Sequence, residues 1–178
     1  FFVNGVETSE PASYGGYQDA GDALVGADGS SVSLTNNAWK SIALNQTITA
    51  DTVLSFEFKA DVLGEVHGIG FDTDNTLSAD QTFQLAGGQT WGIQGEDRGY
   101  VAGDGWQQFN IRVGDYFTGD FDRLVFAMDD DAGAGADSTF RNVEITEVTL
   151  PPTFFVNGVE TSEPASYGGY QDAGDALV

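Results

Sequence analysis

Closely spaced carboxylates are the residues of this chain whose type and spacing first suggest chemistry. Asp72 and Asp74 follow an apolar run, and Asp129 and Asp131 precede a loop rich in Gly and Ala. A hard cation such as Ca²⁺ takes six to eight oxygen ligands, and it relieves the repulsion between neighbouring carboxylates. We therefore predict a bound Ca²⁺. The candidate metal ligands are Asp19, Asp72, Asp74, Asp129 and Asp131. The alternative is that these Asp residues only form turns, which is a common role for Asp.

Aromatic residues beside polar side chains suggest a second kind of chemistry, the binding of sugars. Sugar rings stack on aromatic rings, and their hydroxyls bond to Asp, Asn, Gln and Arg side chains. Trp106 alternates with Gln108, Asn110 and Arg112, so these side chains share one strand face if Phe109 faces the core. The candidate glycan-binding residues are Trp91, Tyr100, Trp106 and Arg112. The alternative for each Trp is a position that caps the core, because tryptophan is usually largely buried.

Residues suited to enzymatic catalysis are scarce. The chain has one His and no Cys, and it lacks nucleophile-elbow and phosphate-binding glycine motifs. Paired carboxylates could cleave a glycosidic bond, but they are so abundant here that their presence alone indicates nothing. We therefore predict no catalytic residues and no enzyme activity. His67 is in phase with Ile69 and Phe71, which favours a hydrogen-bonded interior histidine, and Trp39 is predicted to pack rather than bind.

The elements that position these residues are predicted to be short β-strands. Apolar and polar residues alternate in short runs separated by Gly, Asp and Asn, and helical periodicity is nearly absent. In the clearest run, residues 52–60, Leu54, Phe56 and Phe58 share one face. The other predicted strands are residues 1–3, 31–35, 38–44, 65–71, 81–85, 90–94, 106–113, 123–128 and 140–150.

The number and length of these strands predict the fold. Nine or ten short strands indicate an all-β chain, an antiparallel two-sheet β-sandwich of jelly-roll type. Residues 31–35 and 38–44 are expected to form a hairpin around Asn36 and Asn37, because this pair tolerates positive φ. Residues 7–22 are expected to form a loop.

An internal duplication predicts the domain organisation. Residues 1–25 return unchanged as residues 154–178, a period of 153 residues, which is about one domain. We interpret residues 1–150 as a β-sandwich repeat unit, 151–153 as a proline-rich linker and 154–178 as the first segment of the next identical repeat. The alternative is a segment appended to a single unit. One folded unit has one slot for this segment, so the two copies compete for it, and the spare copy could dock on a neighbour.

Composition limits the partners. A formal net charge of −22, from 28 acidic and 6 basic residues, argues against nucleic acid and anionic membranes. No apolar run approaches the length of a membrane span, so no membrane insertion is expected. The absence of Cys excludes a disulfide framework and thiol chemistry.

Several short motifs, taken in order, resemble a known class of domain. They include Tyr14-Gly15-Gly16-x-Gln18-Asp19, Asn37-Ala38-Trp39-Lys40-x-Ile42, His67-Gly68-Ile69-Gly70-Phe71-Asp72-x-Asp74 and Trp106-x-x-Phe109-x-Ile111-x-Val113. Over residues 14–147 the set resembles a carbohydrate-binding-module-like β-sandwich of secreted microbial polysaccharide-degrading enzymes and large surface proteins. The resemblance implies a secreted, non-catalytic, calcium-stabilised sandwich that holds a glycan.

Two functions remain open at this point. The first is carbohydrate binding by a domain repeated in an extracellular or cell-surface protein, where repetition would raise avidity for a polysaccharide or cell-surface glycan. The second is a structural repeat unit of an extracellular stalk or filament, in which the duplicated segment links neighbouring identical repeats. The identity of the two copies fits both functions.

Overall fold

The computed structural model describes residues 1–133, 135–148, 154–156 and 159–161, the last two ranges by their backbone pairing. Its contacts divide the chain into Phe1–Glu147, which we call the sandwich unit, and Val148–Val178. The predicted boundary at residue 150 and the predicted linker 151–153 lie outside the described residues, as does most of 154–178.

The described part of the sandwich unit is built from β-strands and three short 3₁₀ turns. The strands are β1 (Phe2–Val3), β2 (Val6–Glu7), β3 (Ala12–Ser13), β4 (Asp22–Val25), β5 (Ser31–Thr35), β6 (Ala38–Ile48), β7 (Thr52–Lys59), β8 (Val66–Asp72), β9 (Thr82–Ala86), β10 (Gln107–Arg112), β11 (Gly119–Asp129) and β12 (Asp137–Glu147). Among the described residues, no helix is long and apolar enough to span a membrane.

The strands form two sheets with the connectivity of a jelly roll. Sheet I contains β10, β7 and β12 in that order, and the far edge of β12 pairs with β5 and β1, which in turn pair with β4 and β2. Sheet II has the order β3-β6-β11-β8-β9. From β5 to β12 the chain changes sheet at every step except from β8 to β9, as in a jelly roll. Strand pairs are antiparallel apart from β1 with β12. The predicted fold is confirmed.

The predicted hairpin between residues 31–35 and 38–44 is wrong. β5 pairs with β4 and β12 in sheet I, whereas β6 pairs with β3 and β11 in sheet II. Asn36 has the positive φ that the sequence suggested, at 63°, and its N–H bonds to the carbonyl of Ala136 at 3.1 Å. The turn therefore carries the chain from one sheet to the other.

Two other predicted segments also differ from the structure. Residues 90–94 make one bridge, between Phe83 and Ile93, rather than a strand. Residues 7–22 include β3, which pairs with β6 through Ala12 and Ser13. Such short pairings depend on distant partners, so local alternation does not reveal them.

The core between the sheets follows the predicted alternation. Leu54, Phe56 and Phe58 of β7 are fully buried, and the ring of Phe56 stacks on that of Phe109 at 5.2 Å with an interplanar angle of 4°. Full burial of such a side chain contributes about 1.5–3 kcal/mol. This packing fixes which face of sheet I is turned to solvent.

A second apolar cluster lies on the outer face of sheet II. Trp39 and Tyr14 pack there over Val125 and Ala127, and Trp91 packs against them. β11 is consequently buried on both faces in this region. Trp39 is only 2% exposed, which confirms its predicted packing role.

The first copy of the duplicated segment fills the slot in the sandwich unit. Its strands join sheet I through β1 and β4 and sheet II through β3. In the second copy, β13 (Phe154–Val156) pairs antiparallel with β14 (Val159–Thr161). Its register, Phe155 opposite Glu160, repeats that of Phe2 opposite Glu7 in the first copy. The first copy turns at Asn4 and Gly5, both at positive φ, which is the geometry that Asn-Gly favours.

Candidate functional site

Trp106 is the exposed aromatic residue on the outer face of sheet I. It precedes β10, whose Phe109 and Ile111 point into the core as the sequence suggested. The Trp106 side is therefore turned to solvent, and the residue is 37% exposed. The guanidinium carbon of Arg141 lies 3.8 Å from the ring centroid, and Lys59 Nζ lies 5.6 Å from it. These cation–π contacts hold the indole in place on the sheet.

Arg141 is itself held by a carboxylate on the neighbouring strand. Its Nε and Nη2 each donate to Glu57 at 2.9 Å, and Asn142 Nδ2 donates to the same carboxylate at 2.6 Å. The hydrogen bond from Arg141 lowers the pKa of Glu57, so this carboxyl stays ionised. Paired, bidentate contacts of this kind fix orientation as well as charge. The face around Trp106 is preorganised.

The rest of this face is polar. Ser55 Oγ donates to Asn110 Oδ1 at 2.9 Å, and the hydroxyls of Ser33 and Thr139 lie 3.0 Å apart. Strand register places Glu57 opposite both Gln108 and Arg141. We call this surface the Trp106 face; its residues are Ser33, Ser55, Glu57, Lys59, Trp106, Gln108, Asn110, Thr139 and Arg141.

Arg112 belongs to the same sheet face but lies away from Trp106. Arg112 lies six residues after Trp106, which corresponds to roughly 20 Å along an extended strand. Its guanidinium is paired at 3.4 Å with Asp115 and at 3.9 Å with Asp51. The structure does not bring these two predicted residues together.

Tyr100 is buried, which corrects the expectation of an exposed ring. It is 8% exposed and packs edge-on against Phe58, with ring centroids 5.0 Å apart. Its hydroxyl donates to the Ala60 carbonyl at 3.0 Å and accepts from the Ala60 N–H at 2.7 Å. An aromatic residue in a glycine-flanked loop looked available, but the loop folds back onto the core.

Trp91 is half-buried on the other sheet. Its ring meets that of Trp39 edge to face, with centroids 4.9 Å apart and an interplanar angle of 86°. It belongs to the outer cluster of sheet II, so Trp91 and Trp106 cannot contribute to one platform. Trp106 and Arg112 lie far apart on one sheet face, Tyr100 is buried, and Trp91 lies on the other sheet, so the four predicted glycan-binding residues do not form one site.

Two of the predicted metal ligands, Asp129 and Asp131, do lie together. Their carboxylate oxygens and one from Glu65 lie within 4.8 Å of one another; we call these three residues the acidic cluster. Glu65 was missed because it belongs to a different segment, before β8. Asp129 Oδ1 is buried and has no hydrogen-bond partner among the described residues. Burial, followed by the charge of Asp131, raises the pKa of Asp129, and the nearby indole N–H of Trp39, which donates to Asn37 Oδ1, offsets only part of this rise.

The remaining predicted ligands are placed elsewhere. In the antiparallel pair of β8 and β11, Val66 is opposite Asp129 and Asp72 is opposite Arg123. Asp72 therefore sits at the other end of β8, roughly 20 Å from the acidic cluster. Its carboxylate accepts the Tyr14 hydroxyl and the N–H of Thr73, while Asp74 accepts the N–H of Thr76. The bonds from the N–H groups of Thr73 and Thr76 are those of turn-forming Asp residues, whereas the bond from Tyr14 joins Asp72 to a distant segment.

Asp19 is occupied by an ion pair. Its Oδ2 lies 2.7 Å from Lys40 Nζ, and its Oδ1 accepts the Trp39 N–H at 3.2 Å. The two side chains are 4% and 12% exposed. The carboxylate thus joins the first duplicated segment to β6.

His67 is an interior, hydrogen-bonded residue, as predicted. Its Nε2 accepts the Gly64 N–H at 2.7 Å, so Nδ1 carries the proton and donates to Ser138 Oγ at 2.5 Å. Burial lowers its pKa to about 4. The imidazole is therefore neutral at physiological pH and closed off from solvent.

Sequence reasoning missed an open cleft on the outer face of sheet II, which we call the polar cleft. Two adjoining cavities of about 440 and 370 Å³ share Asn45 and Asp122. Ser9 and Arg123 line the first of these cavities, and Thr73 lines the second. The polar cleft is lined mainly by small and polar residues from separate segments, so no motif in the sequence marks it.

Comparisons with known proteins find a distant likeness of fold. No family model and no curated protein matches the sequence. Among solved structures, a variant of a family 29 carbohydrate-binding module complexed with cellulohexaose is similar, with a TM-score of 0.42 and 14% identity over 80% of each chain. Another family 29 carbohydrate-binding module has a TM-score of 0.42 and 15% identity, covering 80% of this chain and 77% of that one.

Proposed function

We propose that the sandwich unit is a non-catalytic carbohydrate-binding module and that the Trp106 face holds the glycan. The observation that carries this proposal is Trp106 itself, an indole 37% exposed and fixed by Arg141 beside a polar sheet surface. The exposed part of the ring offers an apolar surface for sugar C–H groups. The surrounding hydroxyl, amide and charged groups offer partners for sugar hydroxyls.

The electrostatics of the face favour binding over hydrolysis. Glycosidases need one carboxyl group that stays protonated and a second carboxylate nearby. Glu57, the carboxylate next to Arg141, has a lowered pKa and is committed to that ion pair. It can accept a hydrogen bond from a sugar, but it does not deliver a proton.

Replacing Trp106 by Ala is expected to weaken glycan retention at least about tenfold, because the stacking surface is lost. The measurement is affinity electrophoresis of purified protein in gels containing a panel of soluble polysaccharides. Circular dichroism checks that the variant stays folded.

Asn45→Ala is the matched control, since it alters the polar cleft on sheet II and leaves the Trp106 face on sheet I intact. Its retention should equal that of the parent protein. Weaker retention with Asn45→Ala but not with Trp106→Ala would place the glycan-binding site in the polar cleft. If no polysaccharide in the panel retains the parent protein, carbohydrate binding is rejected.

We also propose that the acidic cluster binds Ca²⁺ and so stabilises the sandwich. The orphaned oxygen of Asp129 supports this, because a buried carboxylate oxygen without a partner is costly and a cation would satisfy it. Glu65 already accepts the N–H groups of Asp131 and Ala132, at 3.1 and 3.2 Å. A cation there would tie the end of β11 to the loop before β8.

Saturating Ca²⁺ is expected to raise the unfolding temperature by about 5 °C or more, as mass action predicts for a ligand at roughly one hundred times its dissociation constant. Thermal unfolding is followed by circular dichroism with Ca²⁺, with Mg²⁺ and with a chelator. Asp129→Asn should remove the effect, whereas Asp74→Asn, in a separate turn, should keep it. An equal shift in parent and Asp129→Asn proteins would contradict the proposal.

We further propose that the unit is one of a tandem series in an extracellular or surface protein. The duplicated residues 1–25 and 154–178 support this context. The same duplication supports the second candidate function, a structural repeat of a stalk or filament. Electron microscopy of the tandem array distinguishes the two functions, since a stalk appears as a rod whose axial repeat matches the length of one sandwich unit.

A further inference from the structure

Residues 1–25 fill a groove that reaches both sheets. β1 lies beside β12, with Val3 opposite Val143, and β4 pairs with β5. On sheet II, Ala12 and Ser13 pair with β6. The segment thus lies along one edge of each sheet, and without it that edge would present unpaired backbone groups.

Side chains anchor the segment in this groove. Phe1 and Val3 are buried in the core, and Tyr14 is fully buried in the outer cluster of sheet II. Asn4 exchanges two hydrogen bonds with the backbone of Ile145, at 2.7 and 3.0 Å. Asp19 adds its ion pair with Lys40. The groove is therefore specific for this sequence.

The chain carries a second segment that meets every one of these requirements. Residues 154–178 have the same 25 side chains in the same order. β13 and β14 also pair in the same register as the corresponding residues of the first copy. Identical sequence in an identical groove makes identical contacts.

The topology argues against the chain's own second copy as the occupant. To take the place of β1, residues 154–156 would have to lie parallel to β12, which ends at Glu147. Parallel neighbours in one sheet need a crossover of about a dozen residues or more. Only residues 148–153 are available, and two of them are proline.

We propose that this groove is a docking surface for residues 154–178 of a second copy of the chain, which links copies head to tail. The inference does not depend on glycan binding. It assigns the duplicated segment a role as donor and the sandwich unit a role as acceptor, which is a form of segment exchange.

Concentration governs this exchange. A docked segment from a second copy makes the same contacts as the first copy, so the balance is set by local concentration. The first copy is tethered by the short turn of residues 26–30, which gives it an effective concentration in the millimolar range or above. Exchange is therefore minor at micromolar protein and substantial near millimolar protein.

A disulfide trap tests the proposal in the 178-residue chain, which has no Cys of its own. Asp22 and Thr35 are opposite one another in β4 and β5, and both are exposed. Asp175 is the counterpart of Asp22 in the second copy. Asp175→Cys combined with Thr35→Cys is expected to give a disulfide between positions 175 and 35 of different chains, rising with protein concentration. Non-reducing gels and peptide mass mapping identify the bond.

Two further variants sharpen the test. Asp22→Cys with Thr35→Cys is the matched control and should form its disulfide within one chain at every concentration. Adding Tyr14→Ala to the trap variant weakens the first copy and should lower the concentration needed for cross-linking about a hundredfold, since a fully buried aromatic side chain is lost.

The result that overturns the proposal is the absence of the 175–35 bond between chains up to millimolar protein, both with and without Tyr14→Ala. A 175–35 bond within one chain would also overturn it, because the occupant would then be the chain's own segment. Cross-links that join only position 35 to position 35, or position 175 to position 175, would indicate random encounters between chains and would also overturn the proposal.

Discussion

Replacing Trp39 by Ala is expected to lower the free energy of unfolding by about 3–5 kcal/mol, the usual range for truncating a buried Trp or Phe. Trp39 is 2% exposed, packs edge to face against Trp91, and donates its indole N–H to Asn37 Oδ1 at 3.1 Å. Its removal opens a cavity under Tyr14 and so loosens the first duplicated segment. Urea unfolding followed by circular dichroism measures the loss.

Trp106→Ala is the matched control, because it removes the same side chain from the exposed face of sheet I. Its free energy of unfolding should stay within about 1 kcal/mol of the parent value, as for most surface substitutions. Equal losses for the two variants would mean that Trp106 is a packing residue, and the proposed glycan platform would fail with it.

Alternation along single strands made the fold predictable. In β7 every second residue is buried, as are Phe109 and Ile111 in β10, and the same pattern in the sequence located the core side of Phe56 and Phe109 and the solvent side of Trp106. Periodicity of two is a local property of the chain, so it can be read without knowing the partners of a strand.

Pairing between distant segments was not predictable in this way. The Asn36-Asn37 turn has the conformation of a hairpin turn, but β5 finds better partners in β4 and β12. The burial of Tyr100 was unpredictable for the same reason, because its hydroxyl reaches the Ala60 carbonyl only when the loop has folded. Both features depend on contacts far apart in sequence, which residue types alone do not specify.

The acidic residues show most clearly where sequence reasoning ended. Asp19, Asp72 and Asp129 are chemically alike, yet one pairs with Lys40, one accepts the Tyr14 hydroxyl, and one leaves an oxygen without a partner. From the sequence alone, all three were candidate ligands of a bound Ca²⁺. Residues on other strands determine which of these carboxylates already has hydrogen-bond or ion-pair partners. Folding also brings Glu65 close to Asp129.

Replacing Lys40 by Met is expected to lower the free energy of unfolding by about 3–5 kcal/mol, because it strands the carboxylate of Asp19 in a largely buried position. The loss also removes the bond from Lys40 Nζ to the Gly21 carbonyl at 2.8 Å. Both Asp19 and Gly21 belong to the first duplicated segment, so that segment should loosen first. Chemical denaturation gives the total loss, and amide hydrogen exchange in residues 12–25 locates it.

A double-mutant cycle separates the ion pair from general loss of packing. Adding Asp19→Asn to Lys40→Met removes the stranded charge, so the double variant should be less destabilised than the sum of the single variants by about 1–3 kcal/mol. Ca²⁺ should stabilise Lys40→Met no more than the parent protein, since the partners of Asp19 are Lys40 and the Trp39 N–H. Additive losses would show that Lys40 and Asp19 are not energetically coupled and would contradict the prediction. A selective rescue of Lys40→Met by Ca²⁺ would show that Asp19 binds a cation once Lys40 is removed.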